Sequence, residues 1–276
     1  MVIKRSRSKK VATEEQELLP IIRRIKAEHP CWGYRRVWAY MKYREKLFVN
    51  KKRIYRIMKE NKLLVPSTRH LKASRVERNK PRAERVNEYW GIDMTKIMVQ
   101  NYGWVYLVII LDWYSKKIVG HSLSLRSTSQ DWMEALGKGI NNQFSDGIKE
   151  SAEQLNLVSD NGSQPTSERF IKECSELRIT QIFASYNNPK GNADTERVIR
   201  TLKEDLVWLR EWNTVEELRC AIDNWIENYN TDYPHSSLNY MTPVEFETSF
   251  FEMRLFEKNN FNLKNLNQNL LIENLC

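Results

Sequence analysis

The run Trp104-Val105-Tyr106-Leu107-Val108-Ile109-Ile110-Leu111 constrains the fold more than any other part of the chain. It is almost continuously apolar but far short of the roughly 20 residues a membrane span needs, so it reads as a strand buried on both faces. Lys117 to Leu125 ends in alternation and reads as a neighbouring strand, and Leu155-Asn156-Leu157-Val158-Ser159 and Ile179 to Phe183 supply two more. Between them, Ser127 to Ile140 carries Trp132, Leu136 and Ile140 at helical spacing, and Ser167 to Leu177 carries Phe170, Ile171, Cys174 and Leu177.

Against this frame three carboxylates stand out, each where a strand ends or a helix begins. In Tyr89-Trp90-Gly91-Ile92-Asp93-Met94-Thr95, period-two alternation puts Asp93 on a face with Tyr89, Gly91 and Thr95. Asp160 follows the strand ending at Ser159 and is followed by the turn signal Asn161-Gly162, which places it at a strand's carboxyl edge. Glu196 follows Asp160 with 35 residues between them, in Gly191-Asn192-Ala193-Asp194-Thr195-Glu196, where Asn192 is a candidate N-cap. The helix it opens carries Ile199, Leu202, Leu206 and Leu209 as its apolar stripe. Acidic groups brought together raise one another's pKa and are tolerated when a cation or shared proton neutralises them, which points to Mg²⁺ and phosphodiester chemistry.

Several motifs then agree in order and spacing. Trp90 to Thr95, Ser159-Asp160-Asn161-Gly162-Ser163-Gln164, the run from Asn188 through Glu196-Arg197 to Lys203, and Tyr229-Asn230 through Pro234-His235 to Thr242-Pro243 resemble the integrase-core signature of bacterial insertion-sequence transposases. The likeness covers about residues 30 to 247 and is to the subgroup made from two overlapping reading frames, relatives of retroviral integrases. It implies an RNase H-like α/β core, with a mixed sheet flanked by helices, in which Asp93, Asp160 and Glu196 bind Mg²⁺ or Mn²⁺, with two ions expected. It also implies cleavage and strand transfer on duplex DNA, self-association, and an upstream-frame helix-turn-helix protein joined by frameshifting. A DNA-binding regulator or relic, and a nuclease on the same core, remain open beside it.

Charge divides the chain. Residues 1–86 hold 26 Lys/Arg against 8 Asp/Glu, whereas the remaining residues hold 18 against 27. The basic front end is the electrostatic handle for DNA, with affinity that falls steeply with salt. It reads as a small helical module of helix-turn-helix type over residues 1–65. Glu14 to Glu28 forms one helix with an irregular first turn at Pro20, Gly33 opens a second, and a third follows the N-cap Asn50. The third helix turns Ile54, Ile57 and Met58 inward and offers Lys52, Arg53 and Arg56 to DNA, the alternative being a basic, solvated bundle that packs on another subunit. Residues 66–86 read as a basic linker, 87–250 as the catalytic core, and the Asn-rich 251–276 as a poorly ordered tail.

Smaller readings complete the picture. Arg200 and Lys203 follow Glu196 by four and seven positions and share its face, where they either grip DNA phosphates or form a salt-bridge ladder with Glu204. Asn161 and Asn192 are candidates to orient a carboxylate or ion, although Asn beside Gly is also ordinary turn chemistry. His121 and His235 read as structural, and Trp208, Trp212 and Trp225 as core packing in preference to base stacking. Cys31, Cys174, Cys220 and Cys276 lack metal-ligand spacing and read as reduced thiols, which argues against the zinc-binding front domain of retroviral integrases. With no secretion signal after the basic N-terminus, the expected location is the bacterial cytoplasm, at the nucleoid.

Overall fold

The computed structural model describes residues 9–65, 82–148, 154–184 and 191–257. The apolar octet forms the second strand, β2 (Gly103–Asp112), flanked by β1 (Tyr89–Val99) and β3 (Ile118–Ser124). With β4 (Asn156–Ser159) and β5 (Thr180–Phe183) these make one five-stranded sheet in the order β3-β2-β1-β4-β5. The β1–β2 and β2–β3 pairs are antiparallel, while β4 is parallel to both β1 and β5. Leu107 to Leu111 are essentially inaccessible, whereas Trp104 at the strand's start is 45% exposed, because it lies beyond the helices that cover the sheet centre.

Alternation along β1 and β2 sends side chains into two cores. Trp90, Ile92, Val108 and Ile110 face α4 (Ser129–Gln143) and α5 (Glu168–Glu176), packing on Trp132, Leu136, Phe170 and Cys174. Ile97, Val105, Leu107, Ile109 and Leu111 face the other way, toward α6 (Ala193–Asp205) and α7 (Val215–Thr231). Helix α4 opens with a capping box in which Thr128 and Asp131 satisfy each other's orphan backbone donors. Ile171 faces solvent, since Phe170 and Cys174 already fill the stripe that α5 presents to the sheet. The stripe expected on α6 ends early: the helix stops at Asp205, and Leu209 is 48% exposed in a short 3-10 turn.

The front module is three helices, α1 (Lys9–Glu28), α2 (Tyr34–Tyr43) and α3 (Lys51–Glu60). Asn50 caps α3 as expected, its side chain accepting from the Lys52 amide. Pro20 lies within α1 and not in its first turn, because the helix begins well upstream at Lys9. A last helix, α8, spans residues 243–257. Residues 251–257 are thus helical and not part of a tail, because α8 continues through them from the buried Pro243 end. The remainder of that segment and linker residues 66–81 lie outside the described residues.

Module and core share one apolar cluster, in which Leu18, Ile22, Ile25, Trp32 and Ile54 join the α6–α7 side of the sheet. Trp32 meets Tyr233 edge-on at 5.3 Å between ring centroids, and Trp38 meets Tyr240 at 5.4 Å. Arg44, just after α2, reaches Glu245 on α8 through a bidentate pair at 2.6 and 3.0 Å. That guanidinium is the main reason the Glu245 carboxyl is held down to about 2. A depressed carboxyl contributes stability above its unfolded value, and that contribution is lost as pH falls through the folded one. Arg44→Ala is expected to cost about 1 kcal/mol near neutrality, discounted for the half-exposed partner, and to weaken the loss of stability between pH 4.5 and about 2. Urea melts of both chains across that range measure it.

Candidate active site

Placement begins with a missing side chain. At Gly91 a Cβ would lie 2.1 Å from Thr195 Oγ1, 2.4 Å from Trp113 Nε1 and 2.5 Å from Asn192 Oδ1, so glycine alone lets the start of α6 sit this close to β1. Asn192 then fastens the two together, its amide Nδ2 donating to the Ile92 carbonyl at 2.9 Å. Trp113 Nε1 adds a 3.4 Å contact to Thr195 Oγ1 from the far end of β2. Asn192 therefore occupies the N-cap position without capping the helix, because its side chain is committed to the strand.

Two residues past Gly91 on the same face stands Asp93, in the interior of β1 and not at a strand end. It is set apart by what surrounds it, since the parallel register pairs Gly91 with Val158 and leads toward Asp160 just past β4. The Asp93 carboxyl is pushed up to about 6, first by burial, with added repulsion from Asp160 and Glu196. The Met94 amide, at 2.8 Å, and the Lys203 charge pull the other way. Asp160 is exposed and accepts from the Gly162 amide at 3.0 Å, which holds the turn after β4. Glu196 is exposed in the first turn of α6.

Asp93 thus feels the charges of Asp160 and Glu196 across the α6–β1 junction. Among the described residues no three His, Cys, Asp or Glu side chains are close enough to share one ion.

Other expected positions divide clearly. Asn161 ties its turn to the end of β5, donating to the Ala184 carbonyl at 2.8 Å, so its side chain does turn chemistry. Arg200 pairs with Glu204 at 2.8 Å, the ladder arrangement, whereas Lys203 faces Asp93 electrostatically. Lys52 is exposed on α3, with Arg53 and Arg56 half-buried. His121 meets Asp223 at 2.7 Å, and His235 packs its ring edge-on against Tyr229. Trp212 is buried but Trp208 is 64% exposed, because α6 has ended before it and the following turn faces outward. Cys31, Cys174 and Cys220 are free thiols, and Cys276 lies outside the described residues. Thr195 and Trp113 escaped sequence reading; the signal was Gly91, a glycine inside a strand, which marks a close approach.

This sheet order, with helices on both faces and the carboxylate-bearing α6 against β1 and β2, defines an RNase H-like core behind a three-helix module. Family models described as integrase core domain match residues 83–189 and 177–243, and one described as HTH-like domain matches residues 13–70. The two core matches together span more than half of the sequence, and the chain belongs to the integrase-core family. The transposase for insertion sequence element IS904 of Lactococcus lactis is 33% identical over 169 residues, which are 60% of this chain and 63% of that protein. The match thus spans slightly under two thirds of that relative's length. Transposase InsD for insertion element IS2A/D/F/H/I/K of Escherichia coli is 23% identical over 245 residues, 85% of this chain and 79% of that protein. Among solved structures, the HTLV-2 integrase catalytic core domain in complex with magnesium is 18% identical, over 60% of this chain and 99% of that one, with a TM-score of 0.44. No helix among the described residues is long and apolar enough to cross a membrane.

Two outcomes follow from the junction. Gly91→Ala is expected to destabilise the chain by about 1–3 kcal/mol through overpacking, read by denaturant melts. Because the folded Asp93 carboxyl lies near 6 and above its ordinary 3.8, its contribution to stability is full below the ordinary value and lost as pH rises through the folded one. Asp93→Asn is therefore expected to leave metal-free stability little changed near pH 4 and to raise it above pH 6, by up to roughly 3 kcal/mol. A thermal-melt series against pH in chelator checks the sign; an equal effect at both ends contradicts it.

Proposed function

We propose that this chain is the catalytic subunit of an insertion-sequence transposase, a polynucleotidyl transferase that cuts DNA strands and joins their 3′ ends to new phosphodiesters. The observation that supports this best is the half-buried Asp93 carboxyl, raised by desolvation and by the charges of Asp160 and Glu196, at the α6–β1 junction of an integrase core. Carboxylates suit hard divalent cations, and Asp93 on β1, Asp160 in the turn after β4 and Glu196 on α6 are the residues that would hold Mg²⁺ or Mn²⁺, as two ions. Bound there, such ions supply Lewis-acid polarisation of the scissile phosphate and neutralise charge on the attacking and leaving oxygens.

The remaining work falls to the chain itself. Asn192 and Gly91 hold α6 against β1, so Glu196 keeps its place relative to Asp93. Lys203 offsets negative charge beside Asp93 and is placed to steady a substrate phosphate, with Arg200 as a second contact once released from Glu204. The basic module over residues 1–65 would hold duplex DNA through Lys52, Arg53 and Arg56, with 66–86 as the tether to a core over 87–250. Asn161 and Asn192 act behind the carboxylates by fixing backbone. The partners are the element's ends, target DNA, further copies of the chain and an upstream-frame protein, acting at the nucleoid in the cytoplasm.

The test is Mg²⁺- or Mn²⁺-dependent strand breakage and rejoining on a branched DNA that mimics an integration product. Asp160→Asn and Glu196→Gln are each expected to lower the rate at least 100-fold, an order of magnitude set by the size of single electrostatic contributions, while folding and DNA binding persist. A native chain that binds the DNA without cutting it, under the same ions, would point instead to an inert regulator.

A further inference from the structure

Between the front module and the core lies a cleft of about 610 Å³ whose walls are not those of the carboxylate junction. The N-terminal end of α2 forms one wall, with Arg35 and Arg36, and α6 forms another with Arg197. Lys116 and the stretch from Tyr233 to Ser237 complete it. Its lining carries four cations against the single carboxylate Asp194, which is itself paired with Lys116 at 3.0 Å.

The guanidinium groups here are braced by aromatic rings. Arg36 lies over the Tyr233 ring at 4.9 Å, and Arg35 donates from Nε to Tyr34 Oη at 3.2 Å. Such bracing fixes where the charge sits and leaves the forked donors for a ligand. A second observation comes from His235, also in the lining: its Nε2 is buried without a hydrogen-bond partner among the described residues. Its imidazole is pushed down to about 3, chiefly by burial and then by Arg36 and Lys116, so it stays neutral and adds no repulsion to them. The hydroxyls of Ser236 and Ser237 supply further donors along the same wall.

We propose that this cleft is a second DNA-contact site, holding the phosphodiester backbone of a duplex through Arg35, Arg36 and Arg197. A polyanion fits the lining because the cations outnumber the acids and the donors are forked, the geometry that takes two phosphate oxygens at once. Nucleic acid is the source favoured by position, since helical spacing puts Asp194, Arg197 and Thr201 on one side of α6 and Glu196, Arg200 and Lys203 on the other. One helix thus presents neighbouring flanks to the carboxylate junction and to the cleft, so a strand held in the cleft is registered against the reacting centre by α6 itself. This rests on the transposase reading.

The experiment measures binding of the full chain to a short mixed-sequence duplex as a function of salt. The native chain is compared with Arg35→Gln/Arg197→Gln and with Arg169→Gln on α5, an exposed control that removes one charge elsewhere. Each lost phosphate contact flattens the slope of log K against log salt by roughly 0.9, so the double variant is expected to lose about 2 in slope and the control none. Each single variant, used if the pair does not fold, is expected to lose about 1. A double variant with native slope and affinity overturns the cleft, and strand cutting that still depends on Asp160 would then leave the transposase reading standing. A native chain that neither binds nor cuts DNA overturns both.

Discussion

The rest of the molecule depends on how closely α6 approaches β1. A glycine at 91 removes the one atom that would keep them apart, and a single amide from Asn192 to the Ile92 carbonyl sets the distance. Because Ile92 adjoins Asp93, the bond that docks the helix also fixes the strand residue at the centre of the acidic junction. Glu196 then inherits its place from the helix axis. Removing the hydrogen bond alone leaves a buried carbonyl without its donor, whereas adding a methyl at 91 moves the whole helix, so sterics dominates the pair.

That closeness has an electrostatic cost. Burial disfavours the Asp93 anion, and the neighbouring acids add to the penalty, so the site is held in a state that a cation would relieve. Lys203 is a cation that acts on Asp93 in its favour, while Arg200 is drawn off to Glu204. The pair with Glu204 is between a 75% exposed guanidinium and a partly exposed carboxylate, worth under about 1 kcal/mol and weak enough for a substrate phosphate to displace.

How much of this was legible in the sequence follows from the range of the forces involved. Strands and helices were readable wherever one period governed burial, as in β2, α4 and α5, because burial acts on each residue through its immediate neighbours. The positions of Asp160 just past a strand and of Glu196 in a helix's first turn were readable because Asn161-Gly162 and Gly191-Asn192 mark chain reversals locally. What escaped was set at long range. The end of α6 at Asp205 and the outward turn of Trp208 depend on which surfaces another element covers. Asn192 shows the same limit on a single residue: propensity names it a cap, but a carbonyl 100 positions earlier in the chain claims its amide.

The module's attachment carries the argument one step further. A helix-turn-helix unit on a free tether would contribute DNA affinity independently of the core, in proportion to the effective concentration its linker allows. Here Trp32, Trp38 and Arg44 seat the module against α7, α8 and the turn between them, and its apolar side chains are continuous with those of the sheet. An apolar seam of this kind restricts reorientation, since opening it exposes several large rings at about 25 cal/mol for each Å². On the proposed transposase reading, duplex DNA held by the module would have its position relative to Asp93 set by this packing.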